Sequence, residues 1–324
     1  MKSHTGIYVR TGVSVLLIAI LLYMMRGKYG SIVSALQGTH PAVFAMAFVM
    51  FTMALAIASF RMKLLIEAQG ITINFRETIS LAFIGYFFNN FLPTSIGGDV
   101  IKAHYLSKHS SDTVGSYTAI FVDRAVGLVT MVFMAFCALL FAGSNVVDER
   151  VSFAIYAITA TAFFGILFLA NKSFARRFSA LTKLVKPLES KLKKLYDTVN
   201  RYRHRPGLML MTFLISVVSQ LFYFTCFGFL ALSIGSRIPA FELFLKMPIV
   251  SMMSLLPSIN GLGVREGATV VLFGPTIGRG NAVAISILML VILLMTSVIG
   301  GLIYAVSPQF RMKLKEIEKE GGIA

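Results

Sequence analysis

An apolar segment of the chain is interrupted at residues 89–102, which read NNFLPTSIGGDVIK. Pro93 lacks a backbone N–H and disfavours a helical conformation at the residue before it, while Gly97 and Gly98 permit backbone angles that other residues resist. A helix is therefore predicted to end and to begin again within these residues. In a membrane, the backbone groups that such a break leaves free are tolerated only where they are buried in protein or line a polar cavity.

A second break repeats this pattern at residues 255–267, which read LLPSINGLGVREG. Both breaks contain Leu-Pro, a hydroxyl residue, glycines and then a carboxylate, which is Asp99 in the first and Glu266 in the second. Two interrupted helices in corresponding halves of a chain are typical of a transporter built as an inverted repeat, whose substrate binds where the breaks meet near the membrane midplane. The alternative is two unrelated kinks that only help packing, which explains the breaks but not the charges beside them.

The composition is that of a membrane protein. Of 324 residues, 56% are hydrophobic and 14% charged, and the mean hydropathy is +0.79, whereas about a quarter of the residues of a soluble chain are charged. Because no polar half exists, a soluble enzyme with a membrane anchor is excluded. The net charge of +16 indicates topology and attraction to anionic lipid rather than nucleic-acid binding. Cys137 and Cys226 lie in apolar runs, which predicts neither a disulfide framework nor a metal site.

The predicted fold class is an all-α polytopic membrane protein with six full transmembrane helices and two re-entrant broken-helix pairs arranged as an inverted repeat. The full spans are predicted near residues 13–25, 42–60, 114–142, 151–170, 208–232 and 283–306. Shorter apolar segments at 78–92 and 241–256 lead into the two breaks and form the re-entrant pairs. Residues 1–324 are then a single transmembrane domain, with one half at about 1–142 and the other at about 151–306.

The distribution of basic residues predicts the orientation. With a cytoplasmic N-terminus and both short segments re-entrant, twenty-two Lys and Arg residues, Arg61 among them, lie on the cytoplasmic side and seven lie outside. This asymmetry fits the positive-inside rule. We therefore expect an integral protein of a bacterial or archaeal cytoplasmic (inner) membrane, with both termini in the cytoplasm.

The segment 171–205 is the only sizeable polar region of the sequence. Its apolar residues recur in alternating steps of four and three, with Lys and Arg on the other faces, which predicts a basic amphipathic helical segment on the cytoplasmic side. We expect it to lie on the inner leaflet or under the bundle, held by anionic lipids. Oligomerisation through its apolar stripe is the alternative.

Five ionisable residues fall at predicted membrane depth, namely Asp99, Asp123, Arg124, Arg265 and Glu266. Such residues are costly unless they are paired or hydrated, and they commonly mark functional sites. A guanidinium binds phosphate bidentately, so the two arginines are predicted to contact an anionic lipid phosphate. The three carboxylates are predicted to neutralise or orient the arginines, or to carry a coupling proton. Asp123 and Arg124 point in different directions on a helix and should have different partners. A purely structural role for all five is the alternative.

The candidate substrate-binding site combines these charges with the two breaks. It comprises Asn90, Pro93, Thr94, Gly97, Gly98, Asp99, Lys102, Asp123, Arg124, Pro257, Asn260, Gly261, Gly263, Arg265 and Glu266. For Lys102, a solvated role and headgroup contact are both open. No catalytic residue, metal ligand or cofactor is predicted: His104 and His109 lack the i, i+4 spacing of a membrane metalloprotease, and no nucleophile-elbow or phosphate-loop motif occurs.

At these positions the sequence resembles the flippase-like family that includes the transmembrane region of bacterial lysylphosphatidylglycerol synthase. The resemblance covers nearly the whole chain and rests on Asn90-x-x-Pro93 with Gly97-Gly98-Asp99, on Asp123-Arg124, and on Pro257 through Gly261-x-Gly263-Val264-x-Glu266. The family commonly has Glu where Asp99 and Asp123 stand. The resemblance implies movement of a lipid with a charged headgroup between leaflets, either an aminoacylated phospholipid or a polyprenyl-phosphate-linked sugar. A chain without the aminoacyl-transferase domain is not expected to make lysylphosphatidylglycerol itself.

The sequence thus predicts a lipid transporter whose partners are a membrane lipid with an anionic or zwitterionic headgroup and the anionic lipids of the cytoplasmic leaflet, with no nucleic acid. Two other function classes stay open at this point. One is a membrane-embedded transferase that acts on a polyprenyl-phosphate lipid, and the other is an ion-coupled transporter of a small anion.

Overall fold

A computed structural model of the protein describes residues 29–89, 97–110, 112–142, 153, 156, 201–202, 204–253, 264–307 and 310. Within these ranges the chain is helical and contains no strand. Nine helices are described: α1 Tyr29–Gln37, α2 Pro41–Glu67, α3 Phe75–Asn89, α4 Gly97–His109, α5 Thr113–Ala142, α6 Pro206–Ser233, α7 Ala240–Met253, α8 Val264–Ile277 and α9 Arg279–Val306.

Four of these helices are long and apolar enough to cross a membrane. They are α2, α5, α6 and α9, and they confirm the spans predicted at 42–60, 114–142, 208–232 and 283–306. The spans predicted near 13–25 and 151–170 lie outside the described residues apart from 153 and 156, as does most of the segment 171–205. The count of six spans therefore stays a prediction.

The two short apolar segments each form one helix of a helix–break–helix unit. Helix α3 precedes the first break and α4 follows it, while α7 and α8 stand on either side of the second. The helices of each unit pack against one another. The breaks themselves, 90–96 and 254–263, lie outside the described residues, and the re-entrant path and the inverted repeat stay predictions.

Local signals in the sequence determine where several helices begin. At α3, Asn74 Oδ1 accepts a hydrogen bond of 2.8 Å from the Glu77 amide, and the Asn74 amide donates to Glu77 Oε2 at 3.1 Å, which is a capping box. Helices α2 and α6 each begin with proline, whose missing N–H costs nothing at that position. Gly278 alone connects α8 to α9, and its φ of +84° is a conformation that favours glycine.

Helices α2 and α6 form an antiparallel pair. The His40 amide, just before α2, donates a 2.7 Å hydrogen bond to the carbonyl of Ser233 at the end of α6. At the other end of the pair, the hydroxyl of Tyr202, just before α6, donates to the Leu65 carbonyl at 2.8 Å. Hydrogen bonds at both ends hold the two helices side by side along their length.

Helix α3 contacts two neighbours backbone to backbone. A Cβ atom on Gly98 of α4 would lie 2.2 Å from the carbonyl oxygen of Gly85, and a Cβ atom on Gly300 of α9 would lie 2.0 Å from that of Phe83. No side chain fits into either contact. Glycine is therefore required at both positions for α4 and α9 to approach α3 this closely.

Candidate functional site

A cavity of about 330 Å³ lies between the helices. Side chains from α2 through α9 line it, and five of them are ionisable: Arg61, Lys102, Asp123, Arg124 and Arg265. Four of these five are residues that the sequence predicted for the substrate site. The cavity thus brings together charges from both halves of the chain.

One charge cluster is centred on Asp99, in the first turn of α4. Its carboxylate forms an ion pair of 2.5 Å with Lys102 Nζ and a second ion pair with Arg124 Nε of α5. A carboxylate in the first turn also interacts favourably with the helix dipole. The Gly98 amide beside it donates a 2.6 Å hydrogen bond to Asn89 Oδ1, so this donor of the α4 N-terminus is already bonded within the protein.

A second cluster is centred on Asp123, which binds Arg61 of α2 rather than its neighbour Arg124. The Arg61 Nε–Asp123 Oδ1 distance is 2.8 Å, and Arg61 Nη1 donates to Ser216 Oγ of α6 at 2.7 Å. Gly127 leaves room for the guanidinium, because a Cβ atom there would lie 3.4 Å from Nη1. Asp123 and Arg124 therefore have different partners, as their adjacent positions predict.

Arg61 is buried within α2, although the sequence predicts a span that ends at residue 60. Helix α2 continues to Glu67, and the Arg61 side chain is only 9% exposed. Its burial is tolerable because Asp123 and Ser216 on neighbouring helices bind the guanidinium. A hydropathy pattern cannot reveal partners that lie on other helices.

Arg265 is the third charged feature of the cavity, and it lies in the first turn of α8. It is 5% exposed, and its Nε and Nη2 atoms have no hydrogen-bond partner among the described residues. The guanidinium interacts electrostatically with the Tyr223 and Tyr86 hydroxyls and with Glu266. A buried cation without hydrogen-bond partners is unfavourable, so this position favours an anionic ligand.

Uncharged polar side chains complete the lining of the cavity, and the sequence analysis missed them. They are Ser59, Tyr86, Asn89, Ser219, Gln220, Tyr223 and Ser251. A sequence signal did exist on α6, where polar residues at 216, 219, 220 and 223 recur every three or four positions within an apolar span. Such spacing places polar groups on one helix face, and Ser219, Gln220 and Tyr223 of that face line the cavity.

The other predicted site residues divide into two groups. Gly97 and Gly98 are buried at the start of α4, while Glu266 is half-buried and does not line the cavity. The remaining predicted residues lie outside the described ranges: Asn90, Pro93, Thr94, Pro257, Asn260, Gly261 and Gly263. Among the described residues, no group of three or more His, Cys, Asp or Glu side chains could hold a metal ion.

Comparison with known proteins identifies the family of the chain. Residues 9–301 match the family model described as the transmembrane region of lysylphosphatidylglycerol synthase. The chain belongs to this family. A member of the lysylphosphatidylglycerol synthase transmembrane family with four helices of membrane-spanning length is an integral membrane protein.

Two archaeal relatives of this family member are both described as UPF0104 membrane proteins. The protein of Methanocaldococcus jannaschii is 31% identical over 122 residues, which are 37% of this chain and 35% of the relative. The protein of Methanothermobacter thermautotrophicus is 22% identical over an alignment that covers 90% of this chain and 92% of the relative. The similarity thus spans about a third of the first relative and nearly all of the second.

Proposed function

We propose that this member of the lysylphosphatidylglycerol synthase transmembrane family is a lipid flippase, which moves a lipid with a charged or phosphate-bearing headgroup between the two leaflets. A polyprenyl-phosphate-linked sugar and an aminoacylated phospholipid are the two headgroup classes that the family resemblance suggests. The main support is Arg265, a cation that is buried at a polar cavity and whose Nε and Nη2 lack hydrogen-bond partners among the described residues. A ligand phosphate would supply those partners.

In this proposal the headgroup enters the cavity while the acyl or prenyl chains stay in the lipid. Arg265 binds the headgroup, and Arg124 contributes after exchanging its bond with Asp99 for one with the ligand. Arg61 stays bound to Asp123 and Ser216 and positions that wall of the cavity. Alternating access of the cavity to the two leaflets then completes transport, as in other transporters with interrupted helices.

The proposal is transport and not catalysis. The rival is a transferase acting on a polyprenyl phosphate, for which Asp99 would be the natural carboxylate. However, both oxygens of Asp99 are bound, one by Lys102 and the other by Arg124, an arrangement that favours a structural or gating role. Chemical turnover by pure protein that is lost in an Asp99→Asn variant would identify the transferase instead.

We further propose a cytoplasmic-membrane location with both termini in the cytoplasm and the basic segment 171–205 against the anionic inner leaflet. The support is the excess of Lys and Arg in the segments assigned to that side. Labelling of a cysteine introduced at Lys191 in intact cells tests this orientation. We expect no reaction with a membrane-impermeant reagent, and a reaction would show that the orientation is the opposite one.

Analysis of copurifying lipids tests the proposed function. Lipids bound to the wild-type protein, to Arg265→Ala and to the exposed control Arg237→Ala are compared by mass spectrometry with bulk membrane lipid. We expect one class with a charged headgroup to be enriched in the wild type and the control and to be lost in Arg265→Ala. Equal lipid profiles in all three preparations would contradict the proposal. Uptake of a soluble anion into vesicles to which no lipid substrate is added would favour small-anion transport.

A further inference from the structure

We infer that a groove on the outer surface of the α2–α6 pair binds one anionic phospholipid, whose hydrocarbon chain lies in the groove while Lys63 binds its phosphate. This bound lipid is separate from the transported one, because the groove shares no lining residue with the charged cavity. The inference therefore goes beyond the proposed function and does not depend on it.

The groove has a volume of about 580 Å³ and is almost entirely apolar. Phe60 and Leu214 in its lining are 40% and 54% exposed among the described residues, so it opens to the outside of the helix pair. Its lining comprises Ala56, Ile57, Phe60 and Lys63 of α2, Phe75 of α3, and Leu214, Ile215 and Val218 of α6. On α2 these positions recur with helical spacing and form the face opposite the one that lines the charged cavity.

The walls of the groove are fixed, so it cannot close by bringing α2 and α6 together. Hydrogen bonds hold the pair at both ends, and between them Ser219 Oγ donates to the Ala54 carbonyl at 2.9 Å. The rings of Phe60 and Phe75 pack edge to face with their centroids 6.3 Å apart. Because an apolar cavity does not hold water, hydrocarbon is the material that fills this space in a membrane.

Lys63 is the one ionisable side chain among the described residues that line the groove. It lies four residues before the end of α2, or about 6 Å along the axis, a depth from which a lysine extends its ammonium group to the headgroups. From Lys63 the lining continues to Ala56, about 10 Å further into the membrane. This length fits within one leaflet, whose hydrocarbon layer is half of a core of about 30 Å. The groove thus matches both parts of a phospholipid.

Charge favours an anionic headgroup at this position. The Lys63 ammonium group has three N–H donors, and Glu67 Oε1 lies 2.7 Å from its nitrogen. The two side chains are 23% and 39% exposed, and an exposed i, i+4 pair contributes little. A lipid phosphate can therefore bind the other donors or replace Glu67. Arg76, which follows Phe75 in the first turn of α3, is exposed at the same end and adds attraction for anionic lipid.

Fluorescence quenching in detergent micelles can test this site. The sequence contains no tryptophan, so Phe60→Trp introduces a single fluorescent probe into the groove of the full-length protein. The quenchers are phosphatidylglycerol and phosphatidylcholine with brominated acyl chains, each titrated from below to above one molecule per protein. We expect saturable quenching by phosphatidylglycerol, with an affinity about fivefold higher than that of phosphatidylcholine. Equal affinities would overturn the selection of an anionic headgroup.

Phe121→Trp is the matched control at a similar depth. The Arg61–Asp123 ion pair places residue 121 of α5 close to the level of residue 60 of α2, and Phe121 is 58% exposed and lines neither the groove nor the cavity. Its quenching is expected to rise without saturation. The same unsaturated quenching at residue 60 would show only general contact with lipid and would overturn the site. Absence of quenching there would show that a second copy or another segment of this chain covers the groove, and would also overturn it.

Two variants on the Phe60→Trp background assign the phosphate to Lys63. Lys63→Gln removes the cation and is expected to weaken phosphatidylglycerol binding about fivefold, whereas Glu67→Gln releases the cation and is expected to strengthen binding. Both variants break the Lys63–Glu67 pair, so a purely structural effect of that pair would change the affinity in the same direction in both. That outcome would overturn the assignment. Arg237→Gln, at an exposed position beyond the other end of α6, is the control of equal charge change.

One more variant separates the groove from the charged cavity. Arg265→Gln on the Phe60→Trp background changes the cavity and is expected to leave the saturable quenching as it is, with circular dichroism to verify that the variant is folded. Loss of quenching in the folded variant would show that the tryptophan detects lipid in the cavity, and would overturn a separate site. None of these measurements requires transport, so failure of the proposed flippase function would leave the inference standing.

Discussion

The Arg61–Asp123 pair is expected to be a strong determinant of stability, and Asp123→Asn tests this. The side chains of Arg61 and Asp123 are 9% and 12% exposed, so the substitution leaves a buried cation that only hydrogen bonds compensate. Breaking a buried pair in this way costs about 3–5 kcal/mol. The control is Glu67→Gln on α2, the helix that carries Arg61, since Lys63 Nζ and Glu67 Oε1 are 2.7 Å apart but the two side chains are 23% and 39% exposed. An exposed i, i+4 pair contributes only about 0.3–0.5 kcal/mol.

Both variants remove one negative charge, so the comparison isolates burial from net charge. The assay is reversible unfolding in mixed micelles of increasing denaturing-detergent content, followed by circular dichroism because the sequence contains no tryptophan. The double variant Arg61→Met, Asp123→Asn removes the unpaired charge and should recover most of the loss. A destabilisation by Asp123→Asn that stays within about 1 kcal/mol of the Glu67→Gln value would refute the reasoning, because it would place the pair in the range of exposed ion pairs.

Two further predictions concern stability. Gly98→Ala should separate α4 from α3 and lower thermal stability in detergent, because the new Cβ would lie 2.2 Å from the Gly85 oxygen. The control is Gly207→Ala at an exposed position, where the new Cβ would meet no atom within 4 Å, and it should stabilise the protein by about 0.4–1 kcal/mol. Equal effects of the two substitutions would contradict the close contact of α4 with α3. Tyr202→Phe removes the hydrogen bond to the Leu65 carbonyl and should cost about 1–3 kcal/mol. Burial raises the pKa of Tyr202 from 10.0 to about 12. The stability that the neutral hydroxyl contributes is therefore fully present below pH 10 and is lost as the pH rises through the folded pKa. If Tyr202→Phe loses as much stability at alkaline pH as the wild type does, Tyr202 does not cause that loss.

Much of the helical framework could be predicted because it depends on local properties of the chain. The apolar runs at 42–60, 114–142, 208–232 and 283–306 became four helices, and each of the two Pro/Gly breaks separates two helices. Length and hydropathy alone determine such elements. The predicted helix boundaries are less accurate where a charged residue lies inside a helix, as Arg61 does in α2.

The candidate site was predicted only in part, for a physical reason. Ionisable residues in apolar segments stand out in a sequence, and Asp123, Arg124 and Arg265 indeed line one cavity. Their partners depend on which helices become neighbours, which hydropathy does not encode. The same limit explains why Tyr86 and Tyr223 were missed, since a tyrosine in an apolar run is equally typical of the lipid interface and of a cavity wall.

The backbone contacts of α3 with α4 and α9 have a mechanical consequence for any transport cycle. Side chains that separate two helices can change rotamer and let the helices slide, whereas backbone packed on backbone at Gly98 and Gly300 has no such freedom. Helices α3, α4 and α9 should therefore move as one stiff body. Asp99 of α4 and Arg124 of α5 form an ion pair between this body and α5, so movement of α5 relative to the body must break that pair.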